Sequence, residues 1–443
     1  MKNLFIIIIV GCLLSQTASA QLMTMDECMA YAVERSVSVR KQENALDNAK
    51  MSYKQSVAHL FPSVSAGISA TTNFGRSVDP ETNSYTTVST FSNSYSLSAS
   101  MPLFAGLRYV NEIRAAKTAR DRGYSDLQVA RDLVAMEVMK AYTDVVYYKG
   151  TVKISEEHLS ASRKTLYQAQ KLYKLGLKSA AEVAEVAAQE ANYEYLLAEQ
   201  QNNLAMASIR LCELMNFPQD TLIDVVDSYD VVPQQDVSQM EDVVEYALAN
   251  NAKVISSELV VKECKYRYTK AKGEWFPTIS LSLGIGTNFY TNFDNQSVFP
   301  SFSSQFRNNR GEYIGVSMSI PIFSNLNRKA SVRFSRNALR NAKLEMDATR
   351  NSIESEITQA YQQMFAYEKL YIQSVKKIQA SQLAYNGIFT KFEKGLVTAV
   401  ELQIASTDLL HAKSDCLRSK LQYMIQKRMV DYYSGVPFIH SER

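Results

Sequence analysis

Two acidic side chains stand at matching positions in short polar segments of the chain. Glu182 follows Ser179 in a Ser-x-x-Glu pattern, and Glu401 follows Thr398 in a Thr-x-x-Glu pattern. Both patterns are capping boxes, in which the glutamate accepts a hydrogen bond from the backbone amide that begins its own helix. A capping carboxylate can still face a lumen, so the spacing leaves a second role open. For Glu182 the Ser-x-x-Glu spacing favours a capping role alone.

Motifs for nucleophiles, metals and phosphates are missing from the sequence. The four histidines, which are His59, His158, His411 and His440, are scattered. None has the His-Glu-x-x-His spacing that a zinc site on a helix requires. There is no glycine-rich phosphate loop and no Gly-x-Ser-x-Gly elbow. We therefore expect no catalytic residue, no metal site and no cofactor, and interpret the chain as a protein other than an enzyme.

Cysteines and charges narrow the class further. After residue 20 the cysteines lie in helical patterns without paired spacing, at Cys28, Cys212, Cys264 and Cys416. We interpret them as small buried apolar residues rather than as a disulfide framework. The 48 basic residues nearly balance the 45 acidic ones. That balance argues against nucleic acid as the main partner.

The N-terminus predicts export from the cytoplasm. Lys2 precedes an apolar run from Leu4 to Leu14, and Ala18-Ser19-Ala20 is a small-residue cleavage site. Residues 1–20 are therefore expected to be a secretory signal peptide, although Cys12 leaves a lipoprotein signal open. The mature chain has no apolar run near the ~20 residues of a membrane-spanning helix, so any membrane-embedded part is expected to be a β-barrel.

The chain contains two copies of one unit. Residues 102–218 align with residues 321–437 at a constant offset of 219, and the upstream parts align at an offset of 215. Matched positions include Pro102 with Pro321, Tyr142 with Tyr361, Gly176 with Gly395, and Pro218 with Pro437. We predict a first repeat at 21–215, a linker at 216–238, a second repeat at 239–437 and a tail at 438–443. Neither copy is expected to bury its apolar faces alone.

In four segments apolar residues alternate with small polar residues, which predicts strands at about 62–74, 94–104, 277–290 and 312–323. Their lengths are close to the 9 to 11 residues of a tilted membrane strand, and aromatic residues stand at their ends. Small polar residues on one face suit a wide, wet lumen. Four strands cannot close such a barrel. Three chains would give twelve strands, with 75–93 and 291–311 as external loops.

The segment from Leu107 to Leu175 contains no proline and predicts a helix of roughly 100 Å. Apolar residues recur at every seventh position in both copies, at Val138, Val145, Val152, Leu159, Leu166 and Tyr173 and at Ile357, Met364, Tyr371, Ile378, Tyr385 and Phe392. A heptad repeat of this length predicts left-handed coiled-coil packing.

The two copies share a motif between their long helices, at residues 173–177 followed by Glu182-Val183 and at residues 392–396 followed by Glu401-Leu402. With these two hairpin tips and this element order, the sequence resembles the TolC family of outer-membrane efflux proteins over essentially the whole mature chain. The resemblance implies an internally duplicated α+β membrane protein in a Gram-negative outer membrane. It implies a homotrimer whose twelve-stranded β-barrel, with four strands per protomer, stands on a coiled-coil α-helical periplasmic tunnel.

The resemblance also implies a passive exit duct of a tripartite efflux or type I secretion system. The tips, with Gly176, Leu177, Gly395 and Leu396, would meet a periplasmic adaptor and an inner-membrane pump. Glu401, and Glu182 by duplication, would lie at the pore constriction. The family has a second acid where this sequence has Ile404, which puts a double acidic ring in doubt. A periplasmic coiled-coil adaptor or structural protein is the alternative, and it would leave the four alternating strands unexplained.

Overall fold

The computed structural model describes residues 21–78, 83–87, 89–218, 223–226, 239–293 and 300–439. The expected signal peptide, with Cys12, lies outside the described residues. So do most of the expected linker at 216–238 and most of the expected tail at 438–443. The helices are α1 (Met25–Arg35), α2 (Val37–Ala58), α3 (Arg108–Lys174), α4 (Ala180–Met215), α5 (Met240–Asn250), α6 (Ala252–Gly273), α7 (Phe302–Asn308), α8 (Asn327–Glu393) and α9 (Ala399–Tyr433). The strands are β1 (Gln21–Met23), β2 (Ser63–Asn73), β3 (Arg76–Val78), β4 (Tyr85–Thr87), β5 (Thr90–Phe104), β6 (Ile223–Val225), β7 (Thr278–Asn292) and β8 (Gly311–Ser319).

Helix bounds recur between the two copies at the offsets found in the sequence. Helices α1 and α2 correspond to α5 and α6 at an offset of 215, and α3 corresponds to α8 at 219. The break between the paired short helices also recurs, because Ser36 and Asn251 both adopt extended backbone conformations. Asn251 Oδ1 accepts a hydrogen bond of 2.9 Å from the backbone amide of Lys253 in the first turn of α6. Polar side chains at equivalent positions thus divide each leading helix.

The chain forms two compact units, each built from segments of both copies. The first comprises the described residues within 21–44, 125–255 and 348–439, and the second comprises those within 45–124 and 256–347. The first unit is helical, and its core holds several of the heptad residues. Val138, Val145 and Leu159 of α3 are buried, as are Ile357, Met364 and Phe392 of α8. The long helices therefore pack along the stripes that the heptads mark.

A two-stranded parallel sheet in the first unit escaped the sequence patterns. β1 pairs with β6 through Gln21 to Met23 opposite Ile223 to Val225. Tyr142 of α3 is fully buried beside it, and its hydroxyl contacts the backbone oxygens of Met23 and Val226 at 3.1 and 3.2 Å. The pair thus joins the start of the mature chain to the segment between the repeats.

The second unit contains a four-stranded antiparallel sheet in the order β2-β5-β7-β8. β8 ends at Ser319, whereas the alternating pattern extends to Phe323. The physical reason is that Ser319 pairs with Thr278, the first residue of β7, so the strand has no neighbour beyond that point. Pro321, which has no backbone N–H, follows directly.

The two segments expected as external loops contain regular structure. Residues 75–93 hold the β3–β4 hairpin and the first residues of β5, and residues 291–311 hold α7. Among the helices of the described ranges, none is long and apolar enough to cross a bilayer.

Candidate channel and docking sites

One face of the four-stranded sheet carries hydroxyl groups and glycines. Across β2 and β5, three pairs of serine hydroxyls lie within hydrogen-bond distance, at 3.0, 3.0 and 2.7 Å. These pairs are Ser63 with Ser100, Ser65 with Ser98, and Ser69 with Ser94. The rows continue into β7 and β8, since Ser100 lies opposite Ser282, which lies opposite Gly315. The described part of this face carries no charged side chain, and small polar residues and glycines line most of it, with Tyr290 and Tyr313 as exceptions.

The other face of the same sheet is apolar. Leu97 lies opposite Ile285, and Leu281 lies opposite Val316. Val64 and Ile68 on β2, and Ile314 and Val316 on β8, are all exposed in the single chain. Apolar side chains with this degree of exposure need another apolar phase to cover them. The alternation of a hydroxyl face with an apolar face is typical of strands between water and lipid.

The two outer strands of the sheet lack strand partners within the described residues. β2 pairs only with β5, and β8 pairs only with β7. Every residue of both outer strands that the structure describes is exposed. Unpaired backbone N–H and C=O groups in a row are a template for pairing with another chain. Both outer strands are therefore free to pair with strands of another chain.

The hairpin turns between long helices follow one geometry in both copies. Gly176 and Gly395 each adopt a positive φ of 73°, and no heavy atom lies within 4 Å of a Cβ built on either glycine. The next residue closes the helix end, because Leu177 N donates to Leu172 O at 2.9 Å and Leu396 N donates to Lys391 O at 2.9 Å. These are Schellman motifs, which favour glycine for its left-handed backbone.

The predicted capping boxes are present, and they differ in strength. The Ser179 amide donates to Glu182 Oε2 at 2.8 Å, and the Thr398 amide donates to Glu401 Oε1 at 3.5 Å. These Ser179 hydrogen bonds, together with Lys178 Nζ at 3.3 Å from Oε1, hold the pKa of Glu182 below its usual value. Among the described residues no cation forms an ion pair with Glu401. In the single chain Glu401 is exposed to solvent, and Glu182 is half-buried.

The apolar residues of the two tips divide into a covered and an uncovered set. Ala169, Val186, Phe392 and Leu402, one from each of α3, α4, α8 and α9, form a buried cluster. Lys178 Nζ lies 4.2 Å from the centre of the Phe392 ring and links one tip to the other hairpin. Leu177 and Leu396, in contrast, are each 70% exposed. The buried cluster thus joins the two tips, and Leu177 and Leu396 lie on the surface outside it.

A buried polar network inside the helical unit was not anticipated from the sequence. His158 of α3 and Tyr193 of α4 both contact Ser406 of α9, at 3.3 and 2.8 Å. The three side chains come from positions that carry no motif. No local signal marks them, because His158 lies outside the stripe of seventh residues that includes Val152 and Leu159.

Cysteines and metal ligands play no part in these sites. The four described cysteines are free thiols, and burial raises the pKa of Cys28 to about 12. Within the described residues no group of His, Cys, Asp and Glu side chains could hold a metal ion.

Comparison with protein families decides what this architecture is. The model of the family described as outer membrane efflux protein matches residues 30–216 and 243–435, which are most of both repeats. The chain belongs to the outer membrane efflux protein family. As a member of that family it is located in the outer membrane, and its family and fold are those of transport channels.

Individual members of the outer membrane efflux protein family are distant in sequence and close in fold. Outer membrane efflux protein BepC of Brucella suis is 21% identical over 403 residues, which cover 90% of this chain and 80% of BepC. The structure of VceC from Vibrio cholerae superimposes with a TM-score of 0.80 at 16% identity and covers 94% and 96% of the two chains. A CusC structure gives 0.79 at 16% identity, with 93% and 92% covered.

Proposed function

We propose that three copies of this chain share one β-barrel and form the exit duct through which an inner-membrane pump, joined by a periplasmic adaptor, expels its cargo. The observation that carries the proposal is the sheet, which has one hydroxyl face, one apolar face and two unpaired edges. Pairing β8 of one chain with β2 of the next closes a ring without edges, and three chains supply twelve strands. Open edges are not tolerated in lipid.

The long helices supply the other half of the duct. At 1.5 Å per residue, the 67 residues of α3 and the 67 residues of α8 each span about 100 Å. CusC, whose fold is similar, is described in terms of transmembrane channel formation, which supports the same assembly here. The hydroxyl face of the sheet carries no charged side chain among the described residues. We therefore assign charge selection to the helical part of the duct.

The hairpin tips are assigned to docking with the adaptor. Leu177 and Leu396 are exposed beside rigid turns, and the same Gly-Leu pair stands at both tips. A lone exposed leucine carries no signal, but two at equivalent turns of a duplicated chain form a repeated contact surface. Because the underlying cluster is complete without them, these leucines are free to pack against a partner.

The test changes both tips together, as Gly176→Asp with Gly395→Asp. Neither site has an atom close enough for an added side chain to strike, and aspartate is among the residues that tolerate a positive φ, at about 1 kcal/mol per site. We expect normal trimer abundance, weakened cross-linking to the adaptor and lost export. Gly387→Asp is the matched control, since its Cβ also has open space and it lies on the same helix α8.

In cells matched for trimer level, the control should cross-link and export normally. Normal cross-linking and export by the double variant would contradict the docking role of the tips.

A further inference from the structure

The short helix α7 is fastened to the part of β7 that extends beyond β8. The β7–β8 ladder stops where Gly286 pairs with Gly311, which leaves the β8 side of β7 without a strand from Thr287 onward. Gln305 of α7 takes the place of a strand there. Its amide nitrogen donates to Tyr290 O at 2.8 Å, and its amide oxygen accepts from Tyr290 N at 3.0 Å. Gln305 is buried, so this paired contact fixes the position of the helix.

Two phenylalanines of α7 lie over the apolar face of the sheet. The Phe306 ring centre is 5.3 Å from that of Tyr95, and the Phe302 ring centre is 5.3 Å from that of Phe289. Tyr95 and Phe289 belong to the face of the sheet that carries Leu97 and Ile285, since successive side chains alternate between faces. Helix α7 therefore covers the apolar face rather than the hydroxyl face.

These aromatic side chains remain partly uncovered. Phe302 and Phe306 are 46% and 43% exposed after packing, and Phe293 beside them is 46% exposed. Rings that are half packed and half open at the end of an apolar strand face resemble the aromatic girdle of outer-membrane barrels. This cluster lies on the same face of the sheet as Leu97 and Ile285, so the medium that covers that face covers the cluster too.

A groove of about 350 Å³ runs between α7 and the sheet. Apolar side chains line it, chiefly Ile68, Leu97, Ile285 and Phe306, and Arg310 stands at its rim. The Arg310 side chain is 60% exposed, and two of its five N–H donors contact one oxygen of Glu312. The groove thus combines an apolar floor with a guanidinium that still has donors to offer. Guanidinium groups suit phosphate oxygens particularly well.

We propose that this groove binds one acyl chain of an outer-leaflet lipid whose headgroup phosphate contacts Arg310. The apolar lining of the groove suits the acyl chain, and the Arg310 guanidinium suits the headgroup phosphate. The groove volume equals that of about a dozen water-sized groups at ~30 Å³ each. That volume suits a single acyl chain rather than a bulky, compact ligand. This lipid site rests on one element of the proposed function, which is that the apolar face of the sheet contacts lipid.

Tryptophan fluorescence can test the site because Trp275 is the single tryptophan of the chain. In a Trp275→Phe background, Phe306→Trp places the probe in the groove and keeps an aromatic ring against Tyr95. Tyr313→Trp is the control, because the Tyr313 ring lies over Gly284 on the hydroxyl face. Both proteins are reconstituted as full chains in phosphatidylcholine vesicles that contain chain-brominated phosphatidylcholine or chain-brominated phosphatidic acid.

We expect both brominated lipids to quench the Phe306→Trp probe and neither to quench the Tyr313→Trp probe. Phosphatidic acid should quench at about fivefold lower mole fraction, because no choline cation offsets its phosphate charge near Arg310. Arg310→Gln should abolish that preference and keep the general quenching. A trimer whose Phe306→Trp probe is unquenched, or quenched equally by both lipids, overturns the lipid site and leaves the channel proposal standing. A protein that is monomeric in vesicles overturns the shared barrel instead.

Discussion

His158 and Ser406, 248 positions apart and on different helical hairpins, meet through a hydrogen bond of 3.3 Å between Nδ1 and Oγ. Tyr193 donates its own hydroxyl proton to Ser406 Oγ at 2.8 Å. The serine proton is then free to point at His158 Nδ1, which makes Nδ1 an acceptor and the imidazole neutral. His158 Nε2 is buried and has no partner among the described residues. The network therefore favours the uncharged ring.

The stability of the helical unit should fall as the pH falls below neutrality. Burial first, and then the charge of Lys413, lower the pKa of His158 to about 4, while Glu157 opposes the shift. Between about pH 6.5 and 4 the unfolded chain binds a proton that the folded chain excludes, so folding loses up to about 3 kcal/mol per protomer. Thermal unfolding of the trimer at pH 7.5 and 5.0 measures the part of this loss that occurs above pH 5.0, about 2 kcal/mol.

His158→Gln is the matched variant for that experiment, because it keeps a polar side chain and removes the titrating ring. The fall in melting temperature between the two pH values should shrink. If the variant and the parent lose the same stability, the acid sensitivity does not come from His158.

The two faces of the sheet should respond differently to substitution. Ser100→Leu or Ser282→Leu, on the hydroxyl face, should narrow the lumen and leave assembly largely intact. Leu281→Arg or Val316→Arg, which change residues opposite each other on the apolar face, should cost roughly 2 to 4 kcal/mol per site near the bilayer midplane. The measurement is the yield of heat-stable trimer in outer membranes. Equal tolerance on both faces would show that their assignment to lumen and lipid is wrong.

Glu401 and Glu182 should differ in their effect on ion selectivity. We propose that Glu401 lines the pore constriction with an uncompensated charge, whereas Lys178 offsets the charge of Glu182 at 3.3 Å. Glu401→Gln should therefore lower the preference of the channel for cations in planar bilayers, and Glu182→Gln should change it little. Both variants remove one capping carboxylate, so they control for each other. A larger effect of Glu182→Gln would reverse the assignment.

The long elements could be predicted from the sequence because their signals extend over many residues. The absence of proline between Leu107 and Leu175 and the heptad stripe indicated a helix that the structure begins at Arg108 and ends at Lys174. The tips followed from glycine itself, since a Schellman motif needs a left-handed residue that other side chains disfavour. The alternation of serine with apolar residues likewise assigned the two faces of each strand before any strand pairing was known.

The shortest elements and the contacts between residues distant in sequence could not be predicted, for a physical reason. β1 and β6 have three residues each, too few to show a period, and only their mutual pairing defines them. α7 has seven residues in a Ser-rich and Asn-rich segment, and it depends on the contacts of Gln305 with β7. The partners of His158 are set by the packing of separate hairpins, which no local pattern encodes.

The mass of the detergent-extracted protein tests the shared barrel most directly. Light scattering combined with absorbance and refractive index separates the protein mass from the mass of bound detergent. A shared barrel predicts a protein mass of three chains, because the four-stranded sheet that the structure describes in each chain has two open edges, which only other copies close. A stable particle with the protein mass of one chain would contradict it.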